Sequence, residues 1–264
     1  MYFQKWQGTG NDFIFVHDPE ATFNLSAKEI AMLCHRRFGI GADGLIAWQL
    51  KDGMPFMKYY NSDGRESTMC GNGGRCFAAY TIKNGLSDSF AFSFLAVDGI
   101  HNVEVLVTDD DFYQVKLQMI DVKEVNTFNN DFVLNTGSPH YVKLVDEKFL
   151  DQDSIVPEAQ YIRYNPPFDK EGINVNFVEL MENGHLYMRT YERGVEDETY
   201  SCGTGVTAAA ISTYKIHQKT HTFVRTKGGN LEVKFTPNED GSFSDVWLIG
   251  PATLVFEGDL KLSH

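Results

Sequence analysis

Residues 70–85 read CGNGGRCFAAYTIKNG, and residues 202–217 read CGTGVTAAAISTYKIH. Both segments begin with Cys-Gly-x-Gly and continue with residues typical of a helix, and Ala78 of the first aligns with Ala210 of the second. Upstream, residues 57–61 (MKYYN) resemble residues 188–192 (MRTYE), with one additional residue before the second cysteine. The two cysteines are separated by half of the 264-residue chain. A unit that recurs at this spacing predicts two domains of similar fold, each with a cysteine at a helix N-terminus.

The sequence around this repeat is rich in predicted strands. Apolar, β-branched and aromatic stretches occupy residues 11–18, 101–108, 113–120, 173–180 and 231–237. Helical patterns are fewer, and one of them starts at Ser26, with Glu29 three residues later as in a capping box. We therefore predict an α+β protein with long sheets on few helices. The predicted domains are residues 1–113, with 255–264 as a segment that returns to them, and residues 114–254.

Composition and charge restrict the classes of function. The formal net charge of −13 excludes a nucleic-acid partner and an anionic membrane surface, because both need a basic face. The N-terminus has no apolar segment typical of a signal peptide, and no apolar run is long enough to cross a bilayer. We expect a cytoplasmic protein whose four cysteines (Cys34, Cys70, Cys76 and Cys202) are reduced thiols rather than two disulfides.

Cys70 and Cys202 are placed where a thiol becomes reactive. The N–H groups of a first helical turn and the helix dipole favour negative charge, so they promote ionisation of a thiol at that position. The glycines after each cysteine let a ligand carboxylate approach those N–H groups. A single cysteine of this kind is usually only a small buried residue, but packing does not explain why Cys-Gly-x-Gly recurs. Two such sites predict a shared cleft between the domains.

This arrangement fits epimerisation at an α-carbon. One group must take a proton from one face while another, already protonated, delivers a proton to the opposite face. Two thiols serve this purpose, one ionised and one protonated, and fixed donors at the helix starts stabilise the carbanion. We find no cofactor motif. Gly8-Thr9-Gly10 lacks the further glycine of a dinucleotide loop, His217 and His221 lack the glutamate of a zinc protease, and the cysteine spacings do not predict a metal site.

A family resemblance follows from the motifs in order. GTGNDF (8–13), GIGADGL (39–45), YNSDGRESTMCGNGGRC (60–76), GSPH (137–140), NVNF (174–177), YERG (191–194) and SCGTG (201–205) resemble diaminopimelate epimerase nearly end to end. The resemblance implies interconversion of LL- and meso-2,6-diaminopimelate, in lysine and peptidoglycan precursor synthesis, without pyridoxal phosphate or metal. It also implies a homodimer in which each chain has two pseudo-symmetric domains, each a curled, mostly antiparallel, barrel-like sheet around a central helix.

The resemblance assigns roles to individual residues. Cys70 and Cys202 match the two catalytic cysteines, and Glu192 and His140 resemble the polar residues that tune them. The residues that match binding positions are Gly71, Asn72, Gly203 and Thr204 for the reacting α-carboxylate, and Asn11, Asn61, Asn174, Glu192 and Arg193 for the rest of the amino-acid substrate. Other readings from the residues alone are a turn asparagine at Asn61, a strand-start residue at Asn174 and a solvated pair at Glu192 and Arg193.

Three departures from the family pattern stand out. Ser138 replaces the asparagine common before Pro-His, Gly44 replaces a glutamine found in some members, and the segment from Glu192 to Cys202 is one residue longer than its counterpart. Rival functions remain open at this point. They are a proline racemase or hydroxyproline epimerase, an acyl-transfer enzyme with Cys202 as nucleophile and His140 as base, and a binding protein without turnover.

Overall fold

A computed structural model of the chain describes residues 1–107, 109–182 and 184–260. The chain divides into two compact units, one formed by residues 1–117 with the segment from Gly250 onward, the other by residues 118–249. These divisions lie a few residues from the predicted ones, because residues 113 and 254 fall inside continuous strands that pair within the first unit. Residues 261–264 of the predicted returning segment lie outside the described residues.

The first unit contains two helices and eight strands within the described residues. The strands and helices before the division are β1 (Tyr2–Gly8), β2 (Asn11–His17), α1 (Ala27–Cys34), β3 (Gly44–Lys51), β4 (Met54–Asn61), α2 (Gly71–Lys83), β5 (Ala91–Ala96), β6 (Gly99–Val107) and β7 (Phe112–Gln118). The eighth strand is the C-terminal part of β16 (Phe243–Asp259), which pairs with both β7 and β1. Because β1 to β7 pair in chain order, β16 closes the sheet into a barrel.

Helix α2 occupies the inside of this barrel. Its residues from Asn72 to Thr81 are buried, and it contacts β1, β2, β3 and β6. A helix that is buried on all sides needs small residues where strands approach, and GNGG at its start and Ala78-Ala79 in its middle supply them. The predicted capping box at Ser26 and Glu29 is present at the start of α1.

The second unit repeats this plan with additional elements. Its elements are β8 (Asn126–Phe128), β9 (Asp131–Asn135), β10 (Pro139–Leu144), α3 (Glu147–Leu150), α4 (Val156–Arg163), β11 (Asn174–Leu180), β12 (Leu186–Glu192), β13 (Asp197–Thr199), α5 (Gly203–His217), β14 (His221–Thr226), β15 (Gly229–Pro237) and the N-terminal part of β16. Helix α5 is buried from Gly205 to Thr213 and contacts β9, β10, β11, β12, β14 and β15.

The two units share one pairing scheme. In the first, consecutive pairs from β1 to β7 are antiparallel, parallel, antiparallel, parallel, antiparallel and antiparallel. The same order holds in the second from β9 to β16, with β14 as the partner that follows β12. Helices α2 and α5 occupy the same place in this order. The prediction of an α+β protein with two pseudo-symmetric, curled, mostly antiparallel sheets around central helices is therefore confirmed.

The strand register makes single positions equivalent between the units. Gly44 pairs with Asn61 in the first unit, and the same register in the second relates Asn174 to Glu192. By this relation Ile46 corresponds to Asn176 and Tyr59 to Thr190. Among the described helices, none is both long and apolar enough to span a bilayer.

Candidate active site

Cys70 is the N-cap residue of α2, immediately before its first residue. It has extended backbone angles (φ −108°, ψ 146°), and its Sγ accepts a hydrogen bond from the Gly73 N–H at 3.2 Å. Its carbonyl accepts from the Gly74 N–H at 2.8 Å, which starts the helix. The sulfur therefore acts as the helix cap, in the position that Ser or Asp usually takes. A first-turn N–H that points at sulfur stabilises its thiolate form.

A buried cation lies near the same end of α2. Arg75 is fully buried and donates to four groups, the Asn72 Oδ1 (2.9 Å), Thr9 Oγ1 (3.2 Å), Gly71 carbonyl (3.3 Å) and Pro251 carbonyl (3.3 Å). All four are neutral, and over the described ranges no carboxylate lies within ion-pair distance of Arg75. Burial lowers the pKa of Arg75 to about 10, and the nearby Cys76 and Cys70 oppose that change. The guanidinium thus remains a cation at neutral pH and adds positive potential at the start of α2.

Cys202 is the N-cap residue of α5 in the same way. Its backbone is extended (φ −113°, ψ 112°), and its carbonyl accepts from the Val206 N–H at 2.9 Å. Its Sγ lies 3.4 Å from the Thr204 Oγ1, and the residue is buried. The two cysteines therefore occupy equivalent positions but have different polar neighbours.

His140 connects to Cys202 through Thr204. The Nε2 of His140 lies 2.9 Å from the Thr204 Oγ1, and its Nδ1 lies 3.1 Å from the Asn176 Nδ2. His140 is fully buried, and this burial, with a smaller contribution from the charge of Arg193, lowers the pKa of its imidazole to about 3. The ring is therefore neutral at physiological pH, with one nitrogen as donor and the other as acceptor.

Two of the predicted binding residues lie in the first unit, one at the start of β2 and the other at the end of β4. Asn11 is the first residue of β2, and its Oδ1 is buried without a hydrogen-bond partner in the described part of the chain. Asn61 is the last residue of β4 and is exposed. Its backbone forms the turn to Gly64, so the turn reading of Asn61 is correct and leaves its side chain at the surface. A buried amide oxygen such as that of Asn11 is expected to bind a ligand or water.

Asn174 links Arg193, another predicted binding residue, to the Ser138-Pro139 segment. Its Nδ2 donates to the Ser138 Oγ at 2.8 Å and to the Pro139 carbonyl at 3.1 Å, and its Oδ1 accepts from the Arg193 N–H at 2.9 Å. Asn174 therefore fixes the backbone of Arg193 as well as Ser138, the residue that departs from the family pattern. A direct substrate contact by Asn174 stays a prediction.

The charged pair at the end of β12 is partly engaged within the second unit. The Glu192 Oε1 accepts from the Thr199 Oγ1, and the Arg193 Nη1 donates to the Glu171 carbonyl at 3.0 Å. Both side chains therefore have hydrogen-bond partners within the second unit, and a surface ion pair between them stays an alternative prediction. The partner groups in these two contacts are neutral, a hydroxyl for Glu192 and a backbone carbonyl for Arg193.

Several residues of this site were not predicted from the sequence. Four of them contact predicted residues directly, namely Thr9, Arg75, Thr136 and Asn176, and the Thr190 Oγ1 donates to Asn176. The Thr136 Oγ1 donates to the Thr204 carbonyl at 2.8 Å. Arg75 and Asn176 lie inside the family motifs at residues 60–76 and 174–177. A signal for Arg75 was present, because an arginine is unusual in an otherwise apolar buried helix. Across the described residues, no group of three or more His, Cys, Asp or Glu side chains is placed to hold a metal ion.

Comparison with known proteins identifies the family. The family model described as "Diaminopimelate epimerase" matches residues 3–123 and 132–255, which is most of the chain. The chain belongs to the diaminopimelate epimerase family. It is therefore an isomerase of the epimerase type.

Two relatives show how closely the chain follows this family. The diaminopimelate epimerase of Flavobacterium psychrophilum is 44% identical over 97% of this chain and 99% of its own length. That of Chlorobaculum tepidum is 38% identical over the same shares of the two chains. Both relatives therefore match this chain over nearly their whole length.

Solved structures at lower identity show the fold alone. A phenazine biosynthesis protein of the PhzF family from Bacillus anthracis has a TM-score of 0.76 at 14% identity and covers 99% of both chains. A probable proline racemase from Agrobacterium radiobacter has a TM-score of 0.67 at 13% identity, over 99% of this chain and 93% of its own. The diaminopimelate epimerase family thus shares its two-unit fold with proteins of other described functions, so the function must come from the site residues.

Proposed function

We propose that this protein interconverts LL- and meso-2,6-diaminopimelate, with Cys70 and Cys202 as the paired acid and base. Membership of the diaminopimelate epimerase family supports the substrate. The activity would supply precursors for lysine and peptidoglycan. The proposal requires no cofactor, because the protein's own donors stabilise the carbanion.

One observation carries the mechanism. In each unit, a cysteine is the N-cap residue of the buried helix, and the first residue of that helix is a glycine. The equivalence holds in sequence, in strand order and in backbone conformation of the cap residue. A buried helix start is a suitable place for a thiolate and for the carboxylate of a ligand. Its recurrence supports one thiol for each face of a carbon atom.

The proton movements balance without a co-reactant. One cysteine, as thiolate, takes the proton from the α-carbon and becomes a thiol. The other cysteine, initially a thiol, delivers its proton to the opposite face of the carbon and becomes a thiolate. The product is the inverted stereocentre, and the two sulfurs have exchanged protonation states, so the enzyme is ready for the reverse reaction.

Electrostatic stabilisation accompanies these steps. The negative charge that develops on the substrate extends into its α-carboxylate, which the first-turn N–H groups of Gly71, Asn72, Gly203 and Thr204 would bind. Asn11, Asn61, Asn174, Glu192 and Arg193 would recognise the remaining amino-acid groups. Glu192 and Arg193 offer one charge of each sign, which suits an ammonium and a carboxylate on the same ligand.

The proposal extends to the state of the protein in the cell. We propose a homodimer in the cytoplasm that binds a small amino acid and neither nucleic acid nor membrane. The net charge of −13 supports the last point, because polyanions would be repelled. Sedimentation of the purified protein as a monomer at micromolar concentration would contradict the homodimer.

The experiment that tests the function compares three substrates. Purified protein is incubated with LL-diaminopimelate, L-proline and trans-4-hydroxy-L-proline, and stereoisomers are separated by chiral chromatography. Conversion of LL- to meso-diaminopimelate, with no change of the other two, is the expected result. Turnover of proline or hydroxyproline alone would show that the proposed substrate is wrong. Binding without turnover would show that the protein is a binding protein and not an enzyme.

Isotope incorporation tests the use of two bases. A thiol carries a single proton, so in D₂O the first cysteine keeps the substrate hydrogen while the second delivers deuterium. Early meso product from unlabelled LL-substrate should carry deuterium at the inverted carbon, and recovered substrate should stay mostly unlabelled. Early product that retains substantial substrate hydrogen would show a single base, and sampling at several early times separates this from slow thiol exchange.

A further inference from the structure

The side chain of Asn176 has a fixed orientation within the second unit. Its Nδ2 donates to the Tyr141 carbonyl at 2.9 Å, and its Oδ1 accepts from the Thr190 Oγ1 at 3.1 Å. A flipped amide would point its oxygen at the Tyr141 carbonyl and lose that bond. The residue is fully buried, so water does not offer an alternative partner. The second hydrogen of Nδ2 therefore points at His140.

This orientation decides which nitrogen of His140 carries the proton. The Asn176 Nδ2 lies 3.1 Å from the His140 Nδ1, and an amide NH₂ is only a donor. Nδ1 must therefore be the acceptor, and the neutral ring carries its proton on Nε2. That proton points at the Thr204 Oγ1, 2.9 Å away. The hydroxyl of Thr204 accepts it, and its own hydrogen is then directed to the Cys202 Sγ at 3.4 Å.

We propose that Asn176 is a positioning residue that holds His140 as its Nε2–H tautomer, so that a line of donors from Asn176 through His140 and Thr204 ends on the Cys202 sulfur. This line stabilises the thiolate of Cys202. Its catalytic consequence rests on the proposed function, whereas its effect on the sulfur does not. Asn176 touches no reacting atom and acts through the two residues that follow it.

The first unit shows that the fold itself does not require these polar groups. The positions equivalent to His140, Asn176 and Thr190 are Phe13, Ile46 and Tyr59, which are buried. The same pairing register is thus compatible with apolar side chains. His140, Asn176 and Thr190 are buried polar side chains near the start of α5, and each of them makes hydrogen bonds. Because the fold does not require them, they serve a role at Cys202.

The charged residues considered beside this line lie at the end of β12 and directly after it. The ring of His140 has Arg193 as its charged neighbour, and Glu192 lies one residue before Arg193 at the end of β12. Arg193 disfavours protonation of His140, which keeps the ring in the neutral form that the donor line needs. The line therefore operates without a charged histidine.

The tautomer is measured directly on the unmodified protein. ¹⁵N-histidine labelling and long-range ¹H–¹⁵N correlation distinguish protonated from unprotonated ring nitrogens, and a His140→Gln variant assigns the signal among the eight histidines. The expected spectrum shows a neutral ring with the proton on Nε2. A proton on Nδ1, or on both nitrogens, at pH 7 overturns the proposal whatever the activity of the enzyme.

Variants then test the role of Asn176. Asn176→Asp has nearly the same shape but places an acceptor beside Nδ1, so we expect the proton to move to Nδ1 and the Thr204 hydroxyl to turn to Nε2. Iodoacetamide labelling of Cys202 at pH 7, followed by peptide mass spectrometry in a Cys70→Ala background, should slow at least about tenfold. Asn176→Leu, which lacks both groups, should slow it as well.

Ile46→Val is the matched control at the equivalent strand position of the first unit. It should leave the His140 spectrum and the labelling of Cys202 unchanged. Folding of each variant is checked by circular dichroism and thermal unfolding. Unchanged labelling in folded Asn176→Asp overturns the donor line, whereas absence of diaminopimelate turnover in the unmodified protein, with the tautomer as expected, overturns only the proposed function.

Discussion

The starts of α2 and α5 offer the same cap position to Cys70 and Cys202 but surround it with different chemistry. Beside α5, His140, Asn176 and Thr190 form a neutral hydrogen-bonded line. Beside α2, the equivalent strand positions are Phe13, Ile46 and Tyr59, and Phe13 packs edge-on against Tyr59 with ring centres 5.8 Å apart.

The polar character of the first unit lies instead within the helix. Arg75 is buried near the start of α2, while the equivalent residue of α5 is Thr207, whose Oγ1 donates to the Gly203 carbonyl at 3.0 Å. The two units thus stabilise the thiolate of their cysteine in different ways. A buried positive charge lies near Cys70, and a line of neutral donors ends at Cys202. The difference teaches that the fold fixes the place of the sulfur, whereas the neighbouring residues set its ionisation.

The largest expected effect comes from the cysteines themselves. Replacing either Cys70 or Cys202 with alanine should lower kcat/KM for epimerisation at least about 100-fold, because a positioned acid or base is lost. Cys34→Ala is the control, since Cys34 is buried and burial raises the pKa of its thiol to about 11. Steady-state kinetics measures the three variants. Near-full activity of Cys70→Ala or of Cys202→Ala would show that the two cysteines do not act as a pair.

Two equivalent glycines sharpen the comparison. A Cβ at position 205 would overlap the Oδ1 of Asn176, whose amide is locked by its hydrogen bonds, whereas at position 73 it would lie 3.0 Å from the flexible end of Met57. Gly205→Ala should therefore lower the free energy of unfolding by about 2 kcal/mol more than Gly73→Ala, the scale of overpacking in a core. Urea unfolding of both variants measures the difference. Equal losses would mean that Asn176 moves aside freely.

The buried histidine predicts an acid sensitivity that belongs to the second unit. Its folded pKa of about 3 lies below the ordinary value of about 6.5, so only the unfolded chain binds a proton between these values. The stability due to the neutral ring is present above pH 6.5 and is lost as pH falls towards 3, with a loss of about 2 kcal/mol by pH 5.

His140→Gln removes this titration and keeps a hydrogen-bonding side chain. The free energy of unfolding, measured in urea at pH 7 and pH 5, should fall by about 2 kcal/mol less in the variant than in the unmodified protein. The comparison uses the pH difference within each protein, so a general loss of stability in the variant does not affect it. The same pH difference in both proteins would contradict the buried neutral ring.

The smallest expected effect concerns the buried cation. Arg75→Met keeps the length of the side chain and removes its charge, so iodoacetamide labelling of Cys70 at pH 7 should slow roughly tenfold while labelling of Cys202 stays within about twofold. Arg75→Lys, which keeps the charge, is the matched control and should retain faster labelling of Cys70 than the methionine variant. Equal labelling rates of Cys70 in the two variants would show that the charge of Arg75 does not promote the reactivity of Cys70.

Much of the fold, and the cap positions of Cys70 and Cys202, could be predicted from the sequence. The repeated Cys-Gly-x-Gly indicated two related halves and two helix starts, the capping box at Ser26 placed α1, and alternating apolar stretches placed the strands. These signals are local, because a cap, a turn or an amphipathic period acts over a few neighbouring residues. The predicted domain limits fall inside β7 and β16, which continue through them.

The sequence by itself determined where the two helices begin and that a cysteine caps each of them. Only the tertiary structure decided that Asn176 faces His140, which lies 36 residues earlier in the chain, and that Arg75 is enclosed by Thr9 and Pro251. Such partners depend on strand register, and a shift of one residue in β10 or β11 would turn the side chain of His140 or Asn176 to the opposite face of the sheet. Register is set by the burial of the whole sheet against its helix, and no short motif contains that information.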